Sequence, residues 1–240
     1  MKHKKSISKG IEIIPYRNFL IIASILYTIF LLSYGDKSRT FMIWNIFLAW
    51  IPFGVSTCIY KISIKEEKKN YVFPILVLGV VWLFFYPNTN YLFTDLMHFS
   101  SHKFYIPNPK YSPYNGEPKI LFNDNFNIWI DFFIMVLGAW LGYILGFLSL
   151  YLNMEIIKIK LSKFASWIFV IIVNILSGFA IYLGRFIRFN SWDIFNPKIV
   201  LKILNENINE KSMKFTLLFG SLSMILYIIL YFLTNIKSKN

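Results

Sequence analysis

An aspartate and a histidine three residues apart, Asp95 and His98, sit in the stretch YPNTNYLFTDLMH over residues 86–98, at the edge of a long apolar block. A carboxylate beside an imidazole is the usual makings of an acid–base pair. A helix starting after Asn90, a good N-cap, puts Tyr91, Asp95, His98 and His102 on one face. The expected contact is a hydrogen bond from the His98 ring to Asp95. A second carboxylate, Asp131, falls in the first turn of a later apolar block, where a helix N-terminus favours negative charge. Further on, Asn174, Gly178, Tyr182 and Arg185 recur near helical spacing, and RFNSWD follows from Arg188 to Asp193. Two arginines at a helix end suit a bidentate grip on phosphate or carboxylate.

Asp95, His98 and Asp131 are therefore the candidate catalytic set. Asn88, Arg185, Arg188, Asn190 and Asp193 are the candidate substrate-binding set. Three aspartates against two arginines leave one formal negative charge before His98 is counted. A protonated His98 or a divalent cation would balance it, with His98, Asp95, Asp131 or Asp193 as N/O ligands. The residues identify no particular metal or cofactor. No HExxH, P-loop or nucleophile-elbow pattern is present. The single cysteine, Cys58, excludes an intrachain disulfide and any cysteine-cluster metal site.

The elements that carry these residues follow from composition. Of 240 residues, 56% are hydrophobic and 15% charged, against about 25% charged in soluble domains. Mean hydropathy is +0.53. The apolar residues fall in blocks near 18–34, 40–60, 71–87, 128–152, 164–187 and 215–234, each close to the ~20 residues a spanning helix needs. The expected fold is an all-α membrane protein: one bundle of six transmembrane helices, with short interfacial helices on the outer side. A basic N-terminus (1–17) and a basic tail (235–240) flank this single domain. The first block lacks an Ala-x-Ala cleavage site and reads as a retained signal-anchor helix. The net charge of +13 does not indicate a nucleic-acid partner, because the basic residues flank apolar helices and suit anionic headgroups.

With both termini cytoplasmic, the inner segments carry 14 Lys or Arg in 44 positions and the outer segments 11 in 75. This density favours that orientation, in the membrane of a bacterial cell. It brings residues 88–98, Asp131 and 185–193 to the same, outer side. Gly138, Gly142 and Gly146 make a small-residue stripe for close helix packing. Residues 105–127, with four prolines and Asn115-Gly116, read as a non-helical outer loop. Asn196-Pro197 starts a short amphipathic helix at the outer surface.

Three stretches, YPNTNYLFTDLMH, IWIDFF…GFLSLYL and GRFIRFNSWD, together resemble the bacterial membrane family called domain of unknown function 1361, over roughly residues 70–200. That family often has proline before the motif tyrosine, where this chain has Asn90. The resemblance implies a multi-pass membrane protein and no established activity.

Three functional readings follow. In the first, a polar site at the extracytoplasmic face acts on a lipid or a lipid-linked anionic small molecule. The second is a transporter or lipid-binding protein, with membrane lipids as partners. The third is a structural or assembly protein in which the polar cluster locks the helices.

Overall fold

The computed structural model describes residues 11–65, 71–101, 103–189 and 196–235. Eight α-helices make up most of these residues. They are α1 (Ile13–Tyr34), α2 (Phe41–Lys65), α3 (Val72–Phe85), α4 (Pro87–Asp95), α5 (Phe126–Lys160), α6 (Lys163–Tyr182), α7 (Pro197–Asn207) and α8 (Glu210–Thr234). Six helical segments are long and apolar enough to cross a membrane; the third joins α3 and α4 and continues to Phe99. The protein is an all-α, multi-pass membrane protein, as the apolar blocks predict.

The 35-residue α5 is the central post. It touches α1, α2, α4, α6 and α8, and its lipid-exposed side is narrow. The glycine stripe explains the close approach. A Cβ on Gly138 would meet Tyr27 and Met42, one on Gly142 would meet Leu92 at 3.0 Å, and one on Gly146 would meet Thr89. Gly142 and Gly146 thus seat α4 against α5, and Gly138 admits α1 and α2. A second glycine contact joins α6 to α8, where a Cβ on Gly178 would run into the backbone of Thr216 and Gly220.

Several polar side chains inside the bundle are paired across helices. The Trp82 Nε1–H donates to Ser149 Oγ at 2.7 Å, the hydroxyls of Ser149 and Ser56 share a 2.7 Å bond, and Asn153 Nδ2 donates to Ser56 Oγ at 3.1 Å. This chain ties α2, α3 and α5 together where no water is available to satisfy polar groups. Tyr143 donates from its hydroxyl to the Ser223 carbonyl at 3.0 Å, linking α5 to α8.

The loop between α4 and α5 is more ordered than its prolines suggest. Tyr105–Pro107 (β1) pairs antiparallel with Ile120–Phe122 (β2), in register Tyr105 opposite Phe122. Pro107 can end the first strand because it needs no N–H there. The turn residue Gly116 adopts φ +68°, a conformation glycine takes without strain.

Alternation of the spans brings the α1–α2 turn, the end of α4, the start of α5 and the end of α6 to one end of the bundle. That end carries the ionisable groups.

Candidate functional site

Asp95 closes α4 and is 2% exposed. Its Oδ2 accepts from Asn45 Nδ2 of α2 at 2.7 Å, and its Oδ1 accepts from Arg185 Nη1 at 3.3 Å. The same Arg185 Nη1 lies 3.4 Å from His98 Nε2. The guanidinium has no lone pair to offer, so Nε2 is the acceptor and the ring proton belongs on Nδ1. One arginine nitrogen thus bridges carboxylate and imidazole.

The expected direct Asp95–His98 hydrogen bond is corrected. Their closest approach is 3.9 Å, beyond hydrogen-bond range. After Asp95 the chain tightens into a 3-10 turn, Leu96–Ser101. This sets His98 alongside Arg185 and against the ring of Phe41, with centroids 5.3 Å apart. The His98 side chain is 47% exposed while Asp95 is buried.

The start of the motif helix is also corrected. Pro87, not the residue after Asn90, takes the first helical position, and α4 follows α3 almost without a break. Proline suits that position because the N–H it lacks would have no partner there. Asn90 is therefore an interior helical residue, buried, donating from Nδ2 to Ser177 Oγ of α6 at 3.1 Å. Its Oδ1 has no partner among the described residues. Tyr91, Asp95 and His98 line one cavity, although His98 lies beyond the helix in the 3-10 turn. His102 lies outside the described residues.

Arg185 reaches the site from a π-helical turn, Leu183–Ile187, that ends α6. Such turns redirect side chains by one extra residue and recur at functional sites. Gly184 in this turn lies under Tyr91; a Cβ there would come within 3.2 Å of the ring. Arg188 follows with φ 61°, a left-handed backbone rare for a side-chain-bearing residue, and its side chain is exposed. Asn88 lines the cavity and donates from Nδ2 to the Phe85 carbonyl at 3.0 Å. Asn190 and Asp193 lie outside the described residues.

Asp131 is not among the residues lining this cavity; an arginine holds it, as a buried carboxylate requires. Its Oδ2 accepts from Arg39 Nε at 3.2 Å and Nη2 at 3.0 Å, with both side chains under a tenth exposed. Arg39 and Asn45 are the two site residues that sequence reasoning missed. Arg39 counts as a loop charge in any tally of basic residues, yet it sits in a short connection that does not let it leave the helices. Asn45 is the lone amide in an apolar span, and that isolation was its signal.

The cavity has a volume of about 600 Å³ and lies between α2, α3–α4 and α6, with Val200 and Ile203 of α7 as its roof. Asp95, His98, Arg185, Asn45 and Tyr91 gather at one end; mostly apolar side chains line the rest, together with Asn88 and Ser177. Among the described residues no group of three His, Cys, Asp or Glu side chains converges to hold a metal ion.

A helical bundle with an ionisable cluster buried at one end, opening on an apolar cleft, defines a polytopic membrane protein with a built polar site. Residues 44–226, about three quarters of the chain, match the family described as protein of unknown function (DUF1361), and the protein belongs to that family. No curated protein and no solved structure matches the chain.

Proposed function

We propose that this protein handles an anionic lipid or lipid-linked molecule at the extracytoplasmic end of its bundle. The carrying observation is the state of Arg185. Only Nη1 is committed, to Asp95 and His98; Nε and Nη2 have no partner among the described residues. A guanidinium with open donors beside a mainly apolar cavity suits a phosphate or carboxylate attached to a hydrocarbon. Arg188, Asn88, Asn190 and Asp193 extend the proposed headgroup contacts. The Lys and Arg distribution supports the outer placement.

In this reading Asp95, anchored by Asn45, holds Arg185 in place. His98 is the proposed base: its Nε2, which accepts from Arg185, takes a proton at the headgroup once the guanidinium turns to the ligand. Asp131 serves the frame through Arg39. The alternative of a purely structural cluster is favoured by one observation, the buried Arg39–Asp131 pair, and applies to that pair rather than to the half-exposed His98.

The test is the lipid that stays with the purified protein. Wild type extracted in mild detergent should retain an anionic amphiphile detectable by mass spectrometry. Arg185→Gln should lower its occupancy at least tenfold, since losing a charge-assisted bond costs about 1.5–3 kcal/mol. Equal occupancy in the two proteins would overturn the proposal.

A further inference from the structure

The shape of the cleft says more about the ligand than its charged end does. Leu83 on α3 lies twelve positions before Asp95, and Val173 on α6 lies twelve positions before Arg185. Both line the same cavity as those ionisable groups. At about 1.5 Å per helical residue the cleft runs roughly 18 Å from its polar end toward the middle of the bilayer. Asp95, His98, Arg185 and Asn45 mark one end of this length, and apolar side chains make up most of the rest, with Asn88 and Ser177 as its polar exceptions.

The cleft also opens sideways. Trp44, Phe84 and Leu176 line it, yet they are 54%, 41% and 44% exposed. They stand on spanning helices, so that exposure is to hydrocarbon. A small soluble anion would bind at the polar end and leave the apolar length of the cleft unused. A hydrocarbon chain matches it in length and in apolar character.

Resting on the reading of Arg185 as the headgroup contact, we infer that the ligand carries a hydrocarbon chain that enters laterally from the bilayer. The chain lies along α6, in the cleft between α2 and α3–α4, with its anionic end at Arg185. The chain contacts are Leu48, Leu83, Phe84, Val173, Leu176 and Ala180. Lateral entry means that a membrane lipid, not an aqueous solute, is the natural occupant, with α7 closing the polar end.

Dodecyl phosphate bearing a diazirine at the chain terminus, applied to the wild-type protein, tests this without altering the fold. Photolysis should label the Leu83, Val173 and Leu176 region. Excess unlabelled dodecyl phosphate should suppress the labelling, and inorganic phosphate should not. Ala180→Trp, which fills the cleft, should weaken dodecyl phosphate binding more than tenfold.

Competition by inorganic phosphate as strong as by dodecyl phosphate would overturn the chain inference and leave the headgroup reading standing. So would labels scattered over outward residues such as Phe73 and Leu217. Chain labelling that persists with unchanged affinity in Arg185→Gln would overturn the headgroup reading, and with it the orientation of the chain in the cleft.

Discussion

Arg39 and Asp131 meet at 3.0 Å across 92 positions of chain, and each side chain is less than a tenth exposed. This contact joins the α1–α2 turn to the first turns of α5. It fixes the end of the bundle on which the Asp95–Arg185–His98 cluster is built.

Breaking that pair from one side should therefore be costly. Asp131→Ala leaves a buried guanidinium without its carboxylate, a loss of about 3–5 kcal/mol for buried pairs. Thermal unfolding in detergent should show a large fall for Asp131→Ala and partial recovery for the double variant Arg39→Met, Asp131→Leu. Recovery requires only that two apolar side chains fill the space that the charges leave.

The glycines separate by what faces them. Gly178→Ala pushes a methyl into the α8 backbone at Thr216 and Gly220, which cannot rotate away. We expect it to destabilise by about 1–3 kcal/mol, the range for overpacking. Gly142→Ala meets only the flexible end of Leu92 and should cost less, while Gly142→Leu should disrupt the α4–α5 contact. Gly54→Ala and Gly79→Ala meet nothing within 4 Å; the higher helix propensity of alanine should leave them neutral or slightly more stable. Thermal melts of the five variants check this order.

The sequence made the bundle legible because hydrocarbon thickness leaves a spanning helix little choice of length or composition. It made Asp95, His98 and Arg185 legible because ionisable groups are costly beside a bilayer core. The partners were harder to read. Asp131 was visible as a helix-start carboxylate, but nothing local links it to Arg39, whose burial depends on how α1 and α2 return against α5. The i to i+3 spacing of Asp95 and His98 suggested a direct bond. The 3-10 turn after Asp95 and the π turn around Arg185 place the arginine between them, and neither distortion has a periodic signature. Asn90 misled because asparagine before a helix resembles a cap, whereas Pro87 is the stronger start.

Topology is open to direct labelling. Cys58 is exposed, so it is first replaced by serine. A single cysteine at position 115, in the hairpin loop, should then react with a membrane-impermeant maleimide on intact cells. One at position 161, between α5 and α6, should react only after permeabilisation. The opposite pattern would move the cluster to the cytoplasmic face and remove the extracytoplasmic part of the proposed function.

His98 and Asn45 distinguish chemistry from framework. Asn45 Nδ2 makes the shortest bond to the buried Asp95 carboxylate, at 2.7 Å. Asn45→Leu leaves Oδ2 without that donor and should destabilise the protein by about 1–3 kcal/mol, the cost of an unmet buried polar group. His98 is half exposed, and its removal strips Arg185 of one acceptor while Asp95 still holds Nη1. His98→Ala should therefore melt within about 0.5 kcal/mol of wild type, as exposed substitutions do. Dodecyl phosphate should still bind it, because the Nε and Nη2 donors of Arg185 are untouched. Binding that persists while any proton-dependent turnover of the bound lipid is lost would mark His98 as the proposed proton-moving group. A His98→Ala protein that unfolds like Asn45→Leu would make the imidazole part of the frame. The cluster would then be a lock for α2, α4 and α6 with no proton to move.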